Sequence, residues 1–257
     1  LSAGIRRIGV TTSNHAERVA EHVERWVGDD RIDEVHVTME KPPRGTAGGI
    51  RMMKDWIEGP FVVASGDNLT SFDITPLIEM HKARQADVSM ALWTVEDPSE
   101  FGIVDHEDDG RISRFQEKPA PGEEFSHLIN AGLYILQPEV LGMIPESEPY
   151  DFSRDLFPSM LTSGRKLYAT SLQGTWYDIG RFSDYARSQI EIAAGRSHLI
   201  EGIALEGIPV ELNSWQAASS HVDASAHLDH SVVHAGAFIG AQAKISYSII
   251  MHGAHVE

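Results

Sequence analysis

The stretch Phe61-Val62-Val63-Ala64-Ser65-Gly66-Asp67-Asn68 delivers a single Asp beside a Gly at the end of an apolar run, and Trp176-Tyr177-Asp178-Ile179-Gly180 repeats this arrangement. Short apolar runs are typical of buried strands, which in α/β folds present functional residues at their carboxyl ends. Mg²⁺ is usually held by one or two carboxylates together with substrate phosphates. The pair predicts a magnesium site formed by Asp67 and Asp178, although either residue alone could be a helix cap.

Strand and helix patterns alternate along the first hundred residues. This alternation predicts an α/β fold with a Rossmann-like, doubly wound, mainly parallel sheet. The predicted strands are 5–11, 35–39, 61–64 and 88–95, and the predicted helices are 16–27, 46–57 and 74–84, with Asn14 as the first N-cap. A hairpin at 102–115, a strand at 128–136 and helices at 152–161 and 182–194 follow.

The end of the chain carries a repeat. Aliphatic residues recur in steps of five or six at positions 222, 228, 233, 239, 245, 250 and 256. This period indicates a left-handed parallel β-helix built from hexapeptide repeats. We therefore predict a domain at 1–194, truncated at its N-terminus, a connector at 195–220, and a β-helix at 221–257, truncated at its C-terminus.

Composition excludes several classes of function. The chain has 257 residues and no Cys, and 38 acidic against 21 basic residues give a formal net charge of −17. Such a field repels the backbone of nucleic acids, so a nucleic-acid partner is not expected. No apolar stretch approaches the roughly 20 residues of a membrane span, and no signal peptide opens the chain. We expect a cytoplasmic protein with no membrane partner.

Three further motifs carry chemistry-bearing residues. Arg44-Gly45-Thr46-Ala47-Gly48-Gly49 opens a predicted helix and could let the backbone approach an anion, or could be an ordinary Gly-rich turn. Glu117-Lys118-Pro119 follows the hairpin; Pro119 predicts an extended Lys118, which could meet a phosphate or simply be a solvated strand end. Asn130-Ala131-Gly132 lies in an apolar strand, where the amide could serve a ligand or a neighbouring loop.

In this order, the motifs resemble those of the sugar-1-phosphate nucleotidyltransferase family. The resemblance covers about residues 1–194 and includes two further pieces, Phe101-Gly102 and Asp151-Phe152-Ser153-Arg154-Asp155-Leu156-Phe157-Pro158. It implies transfer of a nucleotidyl group from a nucleoside triphosphate to a sugar-1-phosphate, which yields an NDP-sugar and pyrophosphate.

The resemblance also implies roles for individual residues. Asp67 and Asp178 would hold the Mg²⁺ and, with Lys118, form the catalytic set. The implied nucleotide-binding residues are Gly45, Thr46, Gly48 and Asp67. The implied sugar-phosphate-binding residues are Gly102, Glu117, Lys118, Asn130, Gly132 and Trp176.

One departure from the family pattern concerns the start of the chain. The family begins with a strand and a G-x-G-x-R loop that wraps the triphosphate, and this sequence begins where the second strand is expected. We expect residues 1–257 alone to show little or no transferase activity.

The substrate remains open between related possibilities. The Asp151–Pro158 motif and the repeat look most like mannose-1-phosphate guanylyltransferases, with glucose-1-phosphate thymidylyl- or uridylyltransferases as the alternative. A non-catalytic regulatory paralogue that senses nucleotide sugars is a second class, and an acyltransferase using the β-helix alone ranks last. Because β-helix tails pack against one another, we expect a homo-oligomer.

Overall fold

The computed structural model describes residues 3–195, 207–210 and 212–257, so part of the predicted 195–220 connector lies outside the described residues. The helices are α1 (Ala16–Glu24), α2 (Gly45–Arg51), α3 (Thr75–Arg84), a 3₁₀ helix (Pro138–Met143), a π-helix (Phe152–Leu156), α4 (Phe157–Thr162) and α5 (Phe182–Ala193). The first ten strands are β1 (Arg7–Thr12), β2 (Glu34–Met39), β3 (Phe61–Ala64), β4 (Asn68–Thr70), β5 (Val88–Thr94), β6 (Gly102–His106), β7 (Ile112–Glu117), β8 (Leu128–Leu136), β9 (Leu167–Ser171) and β10 (Trp176–Asp178). Among the described residues after β10, the short strands are β11 (Ile208–Val210), β12 (Ser214–Gln216), β13 (His221–Val222), β14 (His227–Asp229), β15 (Val232–Val233), β16 (Phe238–Ile239), β17 (Lys244–Ser246), β18 (Ile249–Ile250) and β19 (His255–Val256).

The fold is mixed α/β, and its largest sheet is organised around β8. Strand β8 pairs antiparallel with β3, β5 and β6, and β6 pairs antiparallel with β7. Strand β9 pairs parallel with β5. The sequence predicts a mainly parallel sheet, whereas this sheet is mixed, because the hairpin β6–β7 returns the chain so that β8 runs against its neighbours. Strands β1 and β2 form a separate parallel pair.

The core beneath this sheet contains an aromatic cluster. Phe152, Phe157 and Tyr134 are buried and pack with ring centroids 5.0 to 5.8 Å apart. Aromatic pairs at such distances contribute beyond their buried area. Through Phe152, this cluster anchors the turn at residues 150–154 to the core.

The C-terminal strands pair in parallel at a constant offset. His221 pairs with Phe238 and Phe238 with His255, and the same offset of 17 residues joins His227 to Lys244 and Val232 to Ile249. The inward aliphatic residues include Leu228, Val233 and Ile239, all buried together. The predicted aliphatic period therefore marks a real core, with parallel strands distributed over three small sheets.

Some predicted boundaries differ from the structure. The helix predicted at 46–57 ends at Arg51, and the chain continues in turns. The N-cap of α1 is His15 with a φ of 53°, so the assignment of Asn14 was wrong. The helix predicted at 152–161 begins as a π-helix capped by Asp151.

The chain divides into two compact units by contact. The first contains the residues up to Ser65 together with Asp73–Leu172, and the second contains Gly66–Phe72 together with the described residues from Gln173 to Glu257. This grouping differs from the domain boundary that the sequence places at residue 194. In the described part of the chain, no helix combines the length and apolar character needed to cross a lipid bilayer.

Candidate functional site

Asp67 and Asp178 are brought together by the pairing of two short strands. Asp178 ends β10 and lies opposite Asn68, the first residue of β4, so Asp67 directly precedes the pair. The backbone N–H of Ile179 donates to the carbonyl of Asp67 at 2.9 Å, which fixes the two chains at this end. Asp67 is exposed and Asp178 is half-buried.

The two carboxylates face a common point beside Gly180. A Cβ placed on Gly180 would lie 3.1 Å from Oδ1 of Asp178 and 3.7 Å from Oδ2 of Asp67. The N–H of Gly180 also donates to Oδ1 of Asp178 at 3.0 Å. The glycine therefore leaves open the space against which both carboxylates lie.

Helix capping does not explain these two residues. Asp67 leads into a strand, and the residue at the N-cap of α5 is Arg181. Within the described ranges, no group of three or more His, Cys, Asp or Glu side chains is placed to hold a metal ion. Two carboxylates placed in this way could hold a hard divalent cation such as Mg²⁺, which proteins usually bind through one or two carboxylates.

The Gly45–Gly48 segment packs against the chain at Tyr150. The N–H groups of Ala47 and Gly48 both donate to the Tyr150 carbonyl at 3.0 Å. Gly45 has a φ of +76°, and a Cβ there would lie 2.6 Å from the Tyr150 carbonyl oxygen. Gly45 is therefore required by conformation and by close approach, and the N–H groups of Ala47 and Gly48 already have an internal partner in the Tyr150 carbonyl.

Glu117 and Gly102 lie opposite each other in the hairpin β6–β7. A Cβ on Gly102 would lie 2.8 Å from Oε2 of Glu117, so the glycine makes room for the carboxylate. Burial, followed by the nearby charge of Asp151, raises the pKa of Glu117, while Lys118, Arg154 and a hydrogen bond from Ser153 oppose that rise.

Asn130 sits at the centre of a hydrogen-bonded cluster. Its amide Nδ2 donates to the Tyr134 hydroxyl at 2.7 Å and to the Ser153 hydroxyl at 3.2 Å, and its Oδ1 accepts from the N–H of Gly132 at 2.9 Å. Gly132 has a φ of +70°. The amide is thus oriented by its own strand and by the turn at Ser153.

Lys118 is placed differently from the expectation set by Pro119. Its φ is +45°, in the left-handed region, so the prediction of an extended residue was wrong. Its N–H donates to the carbonyl of Phe101 at 3.0 Å, and this bond holds the unusual turn. The exposed ammonium pairs with Glu100 at 3.3 Å, a contact that a stronger anion could replace.

The predicted residues thus fall into two groups. Asp67, Trp176 and Asp178 lie in the second compact unit, where the half-buried Trp176 pairs with Thr70. The other predicted residues lie in the first unit: Gly45, Thr46, Gly48, Gly102, Glu117, Lys118, Asn130 and Gly132.

Asp151, Ser153 and Tyr134 received no role from the sequence. Asp151 accepts hydrogen bonds from Thr46, Ser153 and Arg154. Asp is a common N-cap residue, whose carboxylate accepts from backbone N–H groups two or three residues further on, and Asp151 at the start of a predicted helix could have identified the turn. The hydrogen bond between Tyr134 and Asn130 depends on the tertiary structure, and no local sequence pattern indicates it.

Comparison with known proteins places this arrangement in context. A family model described as Nucleotidyl transferase matches residues 1–195. Among similar proteins, the UTP–glucose-1-phosphate uridylyltransferase of Synechocystis sp. is 32% identical over 214 residues, which are 81% of this chain and 53% of the relative. The mannose-1-phosphate guanylyltransferase catalytic subunit beta of Danio rerio is 33% identical over 191 residues, 72% of this chain and 51% of the relative. The chain spans about half the length of the curated relatives it matches.

Solved structures share the fold. HddC from Yersinia pseudotuberculosis matches with a TM-score of 0.61 at 24% identity, over 74% of this chain and 80% of that one. A putative glucose-1-phosphate thymidylyltransferase from Bacillus anthracis, in complex with a sucrose, matches with a TM-score of 0.61 at 23% identity, over 70% and 73% of the two chains.

Proposed function

Because this chain belongs to the Nucleotidyl transferase family, we propose that the protein transfers a nucleotidyl group from a nucleoside triphosphate to a sugar-1-phosphate. In this reaction an oxygen of the sugar phosphate attacks the α-phosphorus of the triphosphate. The bond from that phosphorus to the bridging oxygen of the β-phosphate breaks, pyrophosphate leaves, and an NDP-sugar forms. The observation that carries the proposal is the pair of carboxylates, Asp67 and Asp178, beside Gly180.

The metal-binding step is assigned to this pair. Mg²⁺ bound there would neutralise phosphate charge as it develops in the transition state. Asp178 is the more constrained ligand, since the Gly180 N–H already orients its Oδ1. Asp67 is exposed and fixed mainly through its backbone bond to Ile179.

The residues of the other unit are assigned to the sugar phosphate. Lys118 would exchange its pairing with Glu100 for the phosphate. Glu117 would accept hydrogen bonds from sugar hydroxyls, and Asn130 would accept through its Oδ1, because both N–H groups of its amide already donate to Tyr134 and Ser153. Positioning and charge neutralisation of this kind suffice for nucleotidyl transfer, because the protein supplies no covalent step.

Mannose-1-phosphate with GTP is the favoured substrate pair. Several similar proteins are mannose-1-phosphate guanylyltransferases, including those of Drosophila pseudoobscura pseudoobscura and Danio rerio. Glucose-1-phosphate with UTP or dTTP is the alternative, and the Synechocystis relative supports the uridylyl form.

Manganese binding tests the carboxylate pair directly. Mn²⁺ prefers the same oxygen ligands as Mg²⁺ and can be followed by electron paramagnetic resonance. D67N and D178N should each weaken Mn²⁺ binding at least about tenfold, which corresponds to 1.4 kcal/mol. The control E257Q removes an exposed carboxylate from the same unit and should bind as the parent does. Unchanged Mn²⁺ affinity in both Asp variants would contradict the assignment of the metal ion to Asp67 and Asp178.

Calorimetric titration tests the substrate class. Mannose-1-phosphate and glucose-1-phosphate are titrated separately, and GTP, UTP and dTTP are titrated with Mg²⁺, while pyrophosphate release is recorded for each combination. K118A should lose affinity for the sugar phosphate, and K166A, which removes another exposed lysine of the same unit, should retain it. Failure of every sugar-1-phosphate to bind at millimolar concentration contradicts the proposed function.

We also propose that residues 221–257 form the left-handed parallel β-helix that the period predicts. The support is the constant 17-residue offset of the parallel pairs. Duplication of one 17-residue repeat should then preserve cooperative melting, whereas duplication of 16 residues should abolish it, because a slip of one residue turns inward side chains outward.

We also propose that the protein is a homo-oligomer with a cytoplasmic location. Light scattering after size exclusion measures the oligomeric state.

A further inference from the structure

Asp151 connects two separate segments of the first unit through one carboxylate. The hydroxyl of Thr46, at the start of α2, donates to its Oδ2 at 2.7 Å. The N–H groups of Ser153 and Arg154 donate to its Oδ1 at 2.9 and 3.1 Å. Asp151 is therefore the N-cap of the π-helix and also a link to the Gly45–Gly48 segment.

The turn capped by Asp151 carries the hydroxyl of Ser153 into a polar cluster. Asn130 donates to this hydroxyl at 3.2 Å. Strand β7, which ends at Glu117, packs against this π-helix, and the Ser153 side chain lowers the pKa of both Glu117 and Tyr134. The position of the Ser153 hydroxyl beside Asn130 depends on the conformation that Asp151 holds.

Asp151 also acts on Glu117 through its charge. After burial, the carboxylate of Asp151 is the largest cause that raises the pKa of Glu117. The other charged groups facing Glu117 are Lys118 and Arg154, and both lower that pKa. The phenol of Tyr134 stays neutral, because burial raises its pKa.

We propose that Asp151 is a positioning residue for sugar-phosphate recognition, which fixes the Ser153 hydroxyl beside Asn130, next to the strand end that carries Glu117, and connects this cluster to Thr46. Asp151 itself need not touch the substrate. The inference rests on the proposed function, since that function assigns Glu117 and Asn130 to the sugar. A purely structural cap would hold the π-helix without affecting Glu117.

The first experiment follows the carboxyl carbon of Glu117 by NMR in the protein without ligand, with E117Q to assign the signal. D151N keeps an oxygen that can cap Ser153 and Arg154, and it removes the negative charge, so Glu117 should titrate at lower pH than in the parent. E148Q removes an exposed carboxylate three residues earlier and should leave the titration of Glu117 in place. An unchanged Glu117 titration in D151N overturns the proposal.

The second experiment measures the affinity for mannose-1-phosphate and glucose-1-phosphate across pH 4 to 8. D151A should bind about tenfold more weakly, the loss expected for one hydrogen-bonded contact to a charged group. D151N should bind nearly as tightly as the parent, and its loss of affinity on acidification should occur at lower pH than in the parent. The proposal would be overturned if D151A bound the sugar phosphates as tightly as the parent. It would also be overturned if D151A and D151N lost the same affinity and both kept the parental dependence of affinity on pH. If the parent protein binds neither sugar phosphate, the proposed function fails, and the titration of Glu117 alone decides the role of Asp151.

Discussion

Single residues decide whether the candidate site can form, and Gly45 is the clearest case. Its φ of +76° and its approach to the Tyr150 carbonyl both exclude a side chain. A Gly-rich stretch such as residues 45–49 predicts a turn, because glycine is the usual residue where the backbone is left-handed. The sequence alone did not show that the chain itself, at Tyr150, fills the space beside this turn.

G45A should lower the free energy of unfolding by about 1–3 kcal/mol or more, because it adds backbone strain and a contact with backbone atoms. Urea denaturation followed by fluorescence measures this change. The matched control is G59A, since a Cβ on Gly59 meets no atom within 4 Å. Equal stability of the two variants would show that the turn adapts.

His81 gives the fold a pH dependence. It is buried, its Nδ1 lies 2.9 Å from the Ser89 hydroxyl, and its Nε2 lies 2.9 Å from the amide nitrogen of Gln137. Since an amide nitrogen donates, Nε2 accepts and Nδ1 carries the proton. Burial lowers the pKa of His81, against the opposing charge of Asp87.

The sign of the pH effect follows from proton binding. Below the ordinary histidine pKa of about 6.5, the unfolded chain takes up a proton that the folded protein resists. Stability should therefore fall as pH decreases from 7.5 to 5, and H81Q should flatten this dependence. Urea unfolding at each pH provides the measurement, and an identical slope in H81Q contradicts the assignment.

At the scale of elements, the sequence predicted most of the first ten strands but missed β4 and β9, and apart from the hairpin it gave no information on which strands pair. Strand β8 was predicted with both ends correct, but its antiparallel direction depends on the hairpin before it. The helix predicted after Thr46 ends early at Arg51, where turns take over. Periodicity reports burial of a face; it carries no information about which neighbour covers that face.

The same limit applies to the site. Asp67 and Asp178 were predicted as partners, and the short antiparallel pair β4–β10 that brings them together had no signal of its own. Asp67 is followed by a strand of only three residues. A helix cap was a reasonable alternative in the sequence, and the strand pairing excludes it.

The C-terminal strands offer an element-scale prediction. Ile239 is buried and belongs to the aliphatic core of the repeat. I239A should cost about 2–5 kcal/mol, the usual range when a buried aliphatic side chain is truncated to alanine. Scanning calorimetry should show the loss, and I208A, at a site where the isoleucine is 53% exposed, should melt close to the parent. A smaller loss in I239A than in I208A would contradict the inward assignment.

For the whole molecule, the dominant property is charge. The formal net charge is −17, and self-repulsion of this size destabilises a compact state. Raising KCl from 10 to 300 mM should therefore raise the melting temperature, because screening shortens to below 10 Å over this range. A melting temperature that falls or stays constant would show that local ion pairs outweigh the net repulsion. Sucrose at matched osmolality controls for effects of the solute on the solvent.

The left-handed backbone of Lys118 has a consequence for how this molecule balances stability against use. A lysine with a φ of +45° costs on the order of 1–3 kcal/mol relative to a residue that adopts this conformation freely. Its exposed ion pair with Glu100 adds little stabilising free energy to offset that cost. A glycine there would relieve this strain but remove the ammonium group, so under the proposed function this position trades stability against binding of the sugar phosphate.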